Sequence, residues 1–207
     1  MMMDKKKKKK LVLLGSGGHA SVVASMANLL GLEINFVAVP SAKMMQSKIS
    51  NVEYLLDKTL IKIPNKAGYL LLNGVGQKMG CDLRADIFLK FKEFNFKFHA
   101  LIHPFSHVDP SSQISEGVQV MAGAIIQNDC FIGENSIVNT NSSIDHGCEI
   151  GSSCHIAPGA IVCGDVVIGN NCFIGAGAIV TEGTKLASNV IVKAGRVMTN
   201  KQPQFAE

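Results

Sequence analysis

The second half of the chain carries an aliphatic residue at every sixth position, from Val108 to Met198 without a gap. The sixteen members of this series are Val108, Ile114, Val120, Ile126, Ile132, Val138, Ile144, Ile150, Ile156, Val162, Ile168, Ile174, Val180, Leu186, Val192 and Met198. A period of six fits neither a helix nor a simple alternating strand, and it is typical of a hexapeptide parallel β-helix. Three hexads in one triangular coil make eighteen residues, so about five coils stack roughly 4.8 Å apart.

A small or compact residue precedes most of these aliphatics by two positions. The members of this second series are Ser112, Val118, Ala124, Cys130, Ser136, Ser142, Cys148, Cys154, Ala160, Val166, Cys172, Ala178, Thr184 and Val190. Its four cysteines are spaced by 18, 6 and 18 residues, which are multiples of the repeat. We therefore expect reduced thiols buried as small apolar side chains, and neither a disulfide framework nor a metal framework.

The first hundred residues alternate short apolar runs with helical segments. Leu11 to Leu14 form a continuous apolar run, as in a buried parallel strand. The segments predicted after it are a helix to about Leu30, a βα unit from Ile34 to about Leu56, a strand from Tyr69 to Leu72, a helix from about Asp82 to Phe94 and a strand from Phe96 to Ile102. This order predicts a Rossmann-like βαβαβ domain over residues 1–103, followed by an all-β parallel β-helix over residues 104–207.

Two glycine turns follow predicted strands of the first domain. Gly15-Ser16-Gly17-Gly18-His19 opens the first helix, and Asn73-Gly74-Val75-Gly76 follows the third strand at the same sheet edge. Backbone N–H groups at such a turn can hold a phosphate, so Gly15, Gly17, Gly18 and Gly74 are candidate substrate contacts. The acidic residue that binds a dinucleotide ribose is missing after the second strand. A nucleotide-sugar phosphate therefore fits better than a dinucleotide, and a tight turn without a ligand is the alternative.

The positive charge of the chain is concentrated in one short run. The formal net charge is +4, and Lys5 to Lys10 contribute six positive charges, so the remainder is −2. The basic balance is weak evidence for nucleic-acid binding, and the lysine run is interpreted as a solvated tail or a phosphate-attracting arm. Leu11 to Leu14 are shorter than the ~7 to 15 residues of a secretion-signal core. Since no apolar run approaches the ~20 residues of a membrane span, we expect a cytoplasmic protein.

Two histidines of the repeat occupy outward positions. His146 lies in Asp145-His146-Gly147-Cys148, and His155 directly follows Cys154. Each is either an acid–base group or an ordinary surface residue. His103 and His107 have the spacing of a metal pair on a helix, but Pro104 disfavours a helix that begins at His103. We therefore expect no metal site.

Taken together, the motifs resemble those of the NeuD/PglD-like sugar O- and N-acetyltransferases, which are two-domain hexapeptide-repeat acyltransferases. The matching pieces span nearly all of the chain in order. They are Gly15-Ser16-Gly17-Gly18-His19, Asn73-Gly74-Val75-Gly76, Leu101-Ile102-His103-Pro104, Val138-Asn139-Thr140, Ile144-Asp145-His146, His155-Ile156-Ala157-Pro158-Gly159-Ala160 and Ile174-Gly175-Ala176-Gly177-Ala178.

The resemblance implies a homotrimer of left-handed β-helices with acetyl-CoA between neighbouring subunits and the nucleotide of an activated sugar on the first domain. Matched by position, the general base falls on His146 and a supporting polar residue on Asn139. The implied acetyl-CoA contacts are His155, Gly164 and Ala176, and His19 joins the glycine turn in the nucleotide contacts.

The chemistry suits these residue types. A neutral imidazole can take the proton of an amine or hydroxyl that attacks the thioester, without a covalent enzyme intermediate. A backbone N–H group of the solenoid can stabilise the developing oxyanion. A nucleophilic Cys148 is the alternative, which its inward position disfavours.

The chain departs from the family pattern directly after the implied base. Relatives usually have an acid there, whereas this chain has Gly147. Asp129 and Asp165 precede and follow Gly147 by one coil of eighteen residues, so we expect each about 4.8 Å from it. Asp145 is nearer in sequence. We predict that one of these three aspartates orients His146.

The resemblance, together with the chemistry of these residues, implies an acetyl-CoA-dependent N-acetyltransferase that acts on a nucleotide-linked amino sugar in surface-glycan biosynthesis. O-acetylation of a sialic-acid-like sugar is the alternative, because an amine and a hydroxyl make the same demand on His146. Two alternatives from other classes are a non-catalytic trimeric scaffold and a carbonic-anhydrase-like metal trimer. The metal trimer needs three histidines at one interface, and His103, His107 and His146 lack a suitable spacing.

Overall fold

The computed structural model describes residues 9–45, 49 and 52–200, which form two compact units. The first unit comes from Met1–Gly76 and Ile87–His99, and the second from Gln77–Asp86 and Ala100–Glu207. Residues 5–8 of the lysine run lie outside the described residues, so its role stays a prediction. The assignment of separate roles to residues 1–103 and 104–207 also stays a prediction.

The first unit contains a five-stranded parallel sheet in the order β3-β2-β1-β4-β5. Its strands are β1 Lys10–Leu14, β2 Ile34–Val39, β3 Glu53–Leu56, β4 Tyr69–Asn73 and β5 Lys97–Phe98. The strand order reverses between β1 and β4, and ligands of such sheets bind at this reversal. Both glycine turns follow these two strands, so the fold brings them to one place.

Three α-helices complete the described secondary structure of the amino-terminal half. They are α1 Gly18–Leu29, α2 Asp57–Ile61 and α3 Leu83–Glu93, with 3₁₀ turns at Ala42–Met45 and Lys66–Gly68. Apolar side chains of strands and helices form the core of the first unit, among them Val12, Leu14, Leu71, Phe88 and Phe91. Among the described residues, no helix is long and apolar enough to span a membrane.

Two predicted segments of the first unit are wrong in detail. Glu53–Leu56, predicted inside a βα unit, is a strand that pairs in parallel with Phe36–Val39. The predicted strand from Phe96 to Ile102 is divided, because Lys97–Phe98 pairs with β4 whereas Leu101–Ile102 pairs with Gln119–Val120. Strands that are distant in sequence decide both outcomes, which local propensity does not encode.

The second unit is a left-handed parallel β-helix, which confirms the predicted fold class. Seventeen two-residue strands form its three faces. Face 1 consists of β6 Leu101–Ile102, β9 Gln119–Val120, β12 Ile137–Val138, β15 His155–Ile156, β18 Phe173–Ile174 and β21 Ile191–Val192. Face 2 consists of β7 His107–Val108, β10 Ile125–Ile126, β13 Ser143–Ile144, β16 Ile161–Val162, β19 Ile179–Val180 and β22 Val197–Met198. Face 3 consists of β8 Gln113–Ile114, β11 Phe131–Ile132, β14 Glu149–Ile150, β17 Val167–Ile168 and β20 Lys185–Leu186.

Each strand pairs with the strand eighteen residues on, as in the pair of Ile126 with Ile144. The second residue of each strand is the sixth-position aliphatic, and from Val120 to Met198 these side chains form one buried core. Val108 and Ile114 are partly buried against it, and Ile102 at the start is exposed. Burial of one such side chain stabilises the fold by about 1.5 to 3 kcal/mol. The coil begins one hexad earlier than the predicted start at Val108, because Ile102 already pairs in register with Val120.

The small residues before the aliphatics also point inward, and their polar atoms donate hydrogen bonds to backbone carbonyls at the corners. The four cysteines of the series are buried, and each thiol donates to the carbonyl fifteen residues on, as Cys130 does to Asp145 at 3.0 Å and Cys154 to Gly169 at 3.0 Å. Ser136 makes the same bond to Gly151 at 2.8 Å. Short polar side chains therefore satisfy corner carbonyls that the strands leave without a partner.

A third series of positions has left-handed backbone geometry. From Gly117 to Gly195 every sixth residue has a positive φ, and all of these residues are Gly, Asn, Asp or Ser. Glycine tolerates the left-handed region best, and Asn and Asp tolerate it better than other residues, so Ser153 is the exception in the series. Asp129, Gly147 and Asp165 belong to this series, with φ of 57°, 67° and 56°.

Candidate active site

His146 lies on the corner between faces 2 and 3, which we name the second corner and which comprises residues 109–112, 127–130, 145–148, 163–166 and 181–184. Backbone hydrogen bonds connect its successive coils. The Gly147 N–H donates to the carbonyl of Asn128 at 3.1 Å, and the Asp165 N–H donates to the carbonyl of His146 at 2.9 Å. The position of His146 is thereby set by the coils on both sides.

The imidazole of His146 lies against the backbone of Gly164, one coil further on. A Cβ atom at Gly164 would lie 2.6 Å from Cε1, 2.8 Å from Nε2 and 3.2 Å from Nδ1 of the ring. Ordinary contact begins at 3.4 Å, so any side chain at this position displaces the imidazole. The backbone of Gly164 thus supports one side of the ring, and we call it the Gly164 platform.

Asp165 is the acid beside His146. Its Oδ1 lies 3.9 Å from Nδ1 of the ring, and the two side chains are 65% and 57% exposed. This separation is an ion-pair distance and exceeds that of a direct hydrogen bond. Since Nδ1 faces the carboxylate, Nε2 is left for a ligand.

Gly147 makes room for this carboxylate. A Cβ atom at Gly147 would collide with Oδ1 of Asp165. The chain has no acid directly after His146 and has one eighteen residues later, and the second feature depends on the first. Position 147 has no side chain, and the Asp165 side chain fills that space.

Asp129 and Asp145 have other partners. Oδ2 of Asp129 accepts a hydrogen bond from Nδ2 of Asn128 at 2.9 Å, and its backbone N–H donates to Oγ of Ser111 at 2.9 Å. The carbonyl of Asp145 accepts the Cys130 thiol. Of the three described aspartates, Asp165 alone lies within ion-pair distance of the His146 ring. The structure thus distinguishes Asp165 from Asp129 and Asp145 as the acid beside His146, whereas sequence spacing did not.

Asn139 and His155 form a second polar pair. Oδ1 of Asn139 accepts the backbone N–H of Thr140 at 2.8 Å, so its Nδ2 is the atom 2.9 Å from Nε2 of His155. Nε2 of a neutral His155 is then the acceptor, which leaves its proton on Nδ1. His155 as a residue is only 8% exposed, and its ring packs edge-on against Phe173 at 4.9 Å between centroids.

One chain does not bring all predicted acetyl-transfer residues together. His146 and Gly164 lie on the second corner. Asn139 and Ala176 lie on the corner between faces 1 and 2, which we name the first corner and which comprises residues 103–106, 121–124, 139–142, 157–160, 175–178 and 193–196. His155 lies on face 1. Face 2 separates the two groups.

Four of the six outward side chains of face 2 are apolar, and the other two are His107 and Ser143. Its outward side chains include Ile125, Ile161, Ile179 and Val197, of which Ile125 and Ile161 are 40% and Val197 49% exposed. We name this set the face-2 stripe. The sequence analysis missed it, although spacings of eighteen and thirty-six residues on one face were a readable signal. An exposed apolar stripe of this kind is typical of an interaction surface.

The inward position of Cys148 separates its thiol from the outer surface of the corner. Its side chain is buried, and the thiol donates to the Cys163 carbonyl at 3.1 Å. The hydrogen bond with Cys130 and burial raise the pKa of the Cys148 thiol above its ordinary value. Both effects disfavour the thiolate that a nucleophile needs.

The glycine turns of the first unit are close together. Gly15 has a φ of 86°, and its N–H donates to the backbone carbonyl of Ala38 at 2.7 Å. Gly17 and Gly18, at the start of α1, have open space where a Cβ would be. A Cβ at Gly74 would lie 2.5 Å from the Leu14 carbonyl, so Gly74 has a packing reason besides any ligand.

His19 belongs to the same place, since a Cβ at Gly76 would lie 3.1 Å from Cβ of His19. No acidic side chain stands in the first turn of α1, so its N-terminus suits an anion. Among residues 9–45, 49 and 52–200, no group of three or more His, Cys, Asp or Glu side chains could hold a metal ion.

Comparisons with known proteins agree with this architecture. Residues 129–164 match the family model described as bacterial transferase hexapeptide (six repeats), and residues 165–200 match the hexapeptide repeat of succinyl-transferase. No curated protein matches the chain.

Solved structures match over nearly the whole length. The acetyltransferase domain of PglB from Neisseria gonorrhoeae is 30% identical, with 95% of this chain and 94% of that chain covered and a TM-score of 0.83. The same domain in complex with acetyl coenzyme A is 29% identical over 93% and 94%, with a TM-score of 0.81. PerB from Caulobacter crescentus, in complex with CoA and GDP-perosamine, is 30% identical over 93% and 91%, with a TM-score of 0.80. The chain therefore belongs to the NeuD/PglD-like sugar acetyltransferases of the hexapeptide-repeat class, and it is an acetyltransferase.

Proposed function

We propose that the protein transfers the acetyl group of acetyl-CoA to the amino group of a nucleotide-linked amino sugar, in the cytoplasm and for surface-glycan biosynthesis. The observation that carries this proposal is the His146 ring, held on an exposed corner between the Gly164 platform and the Asp165 carboxylate. The solved relatives bound to acetyl coenzyme A, CoA and GDP-perosamine support the same substrate classes. In this assignment residues 1–103 bind the nucleotide and residues 104–207 carry out the transfer.

His146 acts as the general base through Nε2. The acceptor nitrogen attacks the thioester carbonyl, and its proton passes to Nε2 as the new N–C bond forms. The C–S bond of the tetrahedral intermediate then breaks, and the CoA thiolate takes the proton from the imidazolium. Asp165 on the Nδ1 side stabilises the imidazolium, since it lies 3.9 Å away.

Asn139 and His155 contact the thioester end of acetyl-CoA in this proposal, together with Gly164 and Ala176. The Asn139–His155 bond fixes both side chains, so they contact the ligand with little loss of conformational freedom. In the first unit, the glycine turns with Gly15, Gly17, Gly18, His19 and Gly74 hold the sugar nucleotide through its phosphates.

A homotrimer completes the site. In a cyclic trimer closed through the face-2 stripe, the second corner of one copy lies beside the first corner of the next. His146 and Gly164 of one copy then stand opposite Asn139 and Ala176 of its neighbour. Ile161→Glu tests this arrangement, because it puts a charge into the stripe and should give monomers by light scattering. Phe131→Glu is the control, since Phe131 is 44% exposed on face 3 and that variant should stay trimeric.

The activity is tested by release of free thiol from acetyl-CoA with UDP-, GDP-, dTDP- and CMP-linked amino sugars. We expect turnover with at least one of them, and a loss of about 10²- to 10⁴-fold in kcat for His146→Ala. A full rate for His146→Ala, with no rise in melting temperature on addition of acetyl-CoA, would instead favour the non-catalytic scaffold. Turnover confined to hydroxyl acceptors would favour O-acetylation of a sialic-acid-like sugar.

A further inference from the structure

A cavity of about 330 Å³ lies in the second unit, to which all of its lining residues belong. One part of the lining comes from the segment 77–82, and the other part comes from the β-helix. The β-helix contributes Phe173 and Ile191, which pair with each other in adjacent coils of face 1 and which we name the apolar wall. Pockets for small molecules have volumes of about 300 to 1,000 Å³, so this cavity is large enough for a small ligand.

Hydrogen bonds within the chain hold the segment 77–82 in place. Gly80 has a φ of 66°, and the Cys81 N–H donates to the backbone carbonyl of Lys78 at 3.2 Å, which closes a tight turn. The segment is also bonded to the β-helix, because Nδ2 of Asn171 donates to Oδ1 of Asp82 at 2.8 Å. This side of the cavity is thus formed by the fold itself.

The orientation of the Asn171 amide is fixed by its partners. Its Nδ2 donates to Oδ1 of Asp82 at 2.8 Å and to Oδ1 of Asn189 at 3.0 Å. A carboxylate oxygen only accepts hydrogen bonds, so the amide nitrogen must face Asp82. The Asn171 oxygen is buried and accepts no hydrogen bond from any described residue. A buried acceptor without a donor is costly, so a ligand that donates to this oxygen is favoured.

Gln77 supplies a second acceptor of the same kind. Its Oε1 is also buried and accepts no hydrogen bond within the described part of the chain. The Asp82 carboxylate is a third acceptor of the lining. Because the oxygen and nitrogen of one amide are bonded to the same carbon, the Asn171 oxygen is at most about 5 Å from Oδ1 of Asp82, a distance that one donor group can bridge. Three acceptors match the three N–H groups of an ammonium.

Lys78 adds the opposite charge to the lining. Since Lys78 and Asp82 both line the cavity, their charges cancel. A simple amine would place a cation beside Lys78, and a simple carboxylate would place an anion beside Asp82, so each is repelled by one of them. A molecule with both charges is attracted by both. The apolar wall completes the lining, which therefore suits a zwitterion with an apolar body.

We propose that this cavity binds an α-amino acid with an apolar side chain. The ammonium group of the amino acid donates to the amide oxygens of Asn171 and Gln77 and to the Asp82 carboxylate. Its carboxylate pairs with Lys78, and its side chain packs on the apolar wall. The cavity lies at face 1, whereas His146 lies on the corner between faces 2 and 3. The inference therefore adds a second ligand to the proposed acetyl transfer.

The test measures the binding of phenylalanine and leucine to the full chain by isothermal titration calorimetry. Two analogues of phenylalanine keep its apolar body, since phenethylamine lacks only the carboxylate and hydrocinnamate lacks only the ammonium. We expect the amino acid to bind about ten-fold more tightly than either analogue, because each analogue leaves one charged group of the lining unpaired. Equal affinity for phenethylamine or hydrocinnamate would overturn the proposal.

Three variants and a matched control locate the binding site. Asn171→Gly removes the amide and keeps the turn, since Asn171 has a φ of 59° and glycine tolerates it. Asn141→Gly is the control, because Asn141 has a φ of 54° on the first corner, outside the cavity. Gln77→Leu removes the second acceptor at nearly constant size, and Lys78→Gln removes the cation. We expect each variant to weaken the binding of phenylalanine about ten-fold and the control to leave it unchanged.

No saturable binding of either amino acid to the wild type would overturn the proposal. Equal weakening by Asn171→Gly and Asn141→Gly would do the same, as would unchanged affinity in Gln77→Leu. Thiol release from acetyl-CoA is measured with the same wild-type preparation. A protein that releases thiol but binds no amino acid refutes this inference and leaves the acetyl transfer standing.

Discussion

Substitution of Gly164 by alanine tests whether the geometry of the His146 ring limits the reaction. The added Cβ would lie 2.6 Å from Cε1 and 2.8 Å from Nε2 of the imidazole. Ordinary contact begins at 3.4 Å, so the ring must move by about 0.8 Å at Cε1. The backbone accepts alanine without strain, since Gly164 has no positive φ and Ala122, Ala176 and Ala194 occupy the same turn position in other coils.

The cost should therefore fall on catalysis and not on folding. A misplacement of about 1 Å in a reacting group costs on the order of 10²-fold in rate, so we expect kcat to fall about 30- to 100-fold. The ring is 57% exposed and can swing outward, which keeps the change in unfolding free energy within about 0.5 kcal/mol.

The assay is steady-state thiol release, with the melting temperature measured in parallel. The same substitution in a His146→Ala background is the control, because without the imidazole it should lower the residual rate no further. A wild-type kcat for Gly164→Ala would refute the platform role. A rise in the KM of acetyl-CoA with unchanged kcat would show that Gly164 serves the ligand instead.

Three further predictions concern the charge beside the base, the core and the response to acid. Asp165→Asn should lower kcat about five-fold at constant KM of acetyl-CoA, because unit charges 3.9 Å apart in a water-like medium interact by about 1 kcal/mol. A smaller loss of kcat than that of Asp145→Asn would contradict the pairing of Asp165 with His146. Ile150→Ala should cost about 2 to 5 kcal/mol in urea unfolding because the side chain is fully buried, and a loss below 1 kcal/mol would mean that the column tolerates a cavity. Burial lowers the pKa of His99 in the folded protein below 6.5, its value in the unfolded chain. The stability of the fold is therefore unaffected by His99 above pH 6.5, and it decreases as the pH falls from 6.5 through the folded pKa, because the unfolded chain binds the proton more readily. His99→Gln should flatten the fall in melting temperature between pH 7 and pH 5, and an unchanged slope would rule out His99 as its source.

The solenoid was readable from the sequence because its signal is local and repeated. Each aliphatic column position recurs at every sixth residue, and the strands pair at the predicted eighteen-residue spacing. The same periodicity placed Cys148 and Cys154 inside. The amino-terminal half contains no such repeat. The strand β3 and the break between β5 and β6 were predicted wrongly, because both are decided by pairing with strands that are distant in the chain.

For the candidate site, spacing supplied the neighbours of His146 but not their directions. Asp129 and Asp165 stand one coil on either side of Gly147, and a count of residues treats them alike. In the folded chain the Asp165 side chain occupies the space over Gly147, whereas that of Asp129 is bonded to Asn128. Side-chain direction depends on which neighbouring side chain is absent, and this is a property of packing.

The sequence by itself determined the repeat, the class of fold, the inward cysteines and His146 as an outward histidine. These follow from the order of apolar and polar residues, because burial of a periodic set of side chains admits few backbone paths. The tertiary structure alone decided that Asp165 pairs with His146, that Gly164 supports the ring, and that His146 and His155 lie on opposite sides of face 2. Those facts depend on contacts between coils, whose distances are set only when the coils stack.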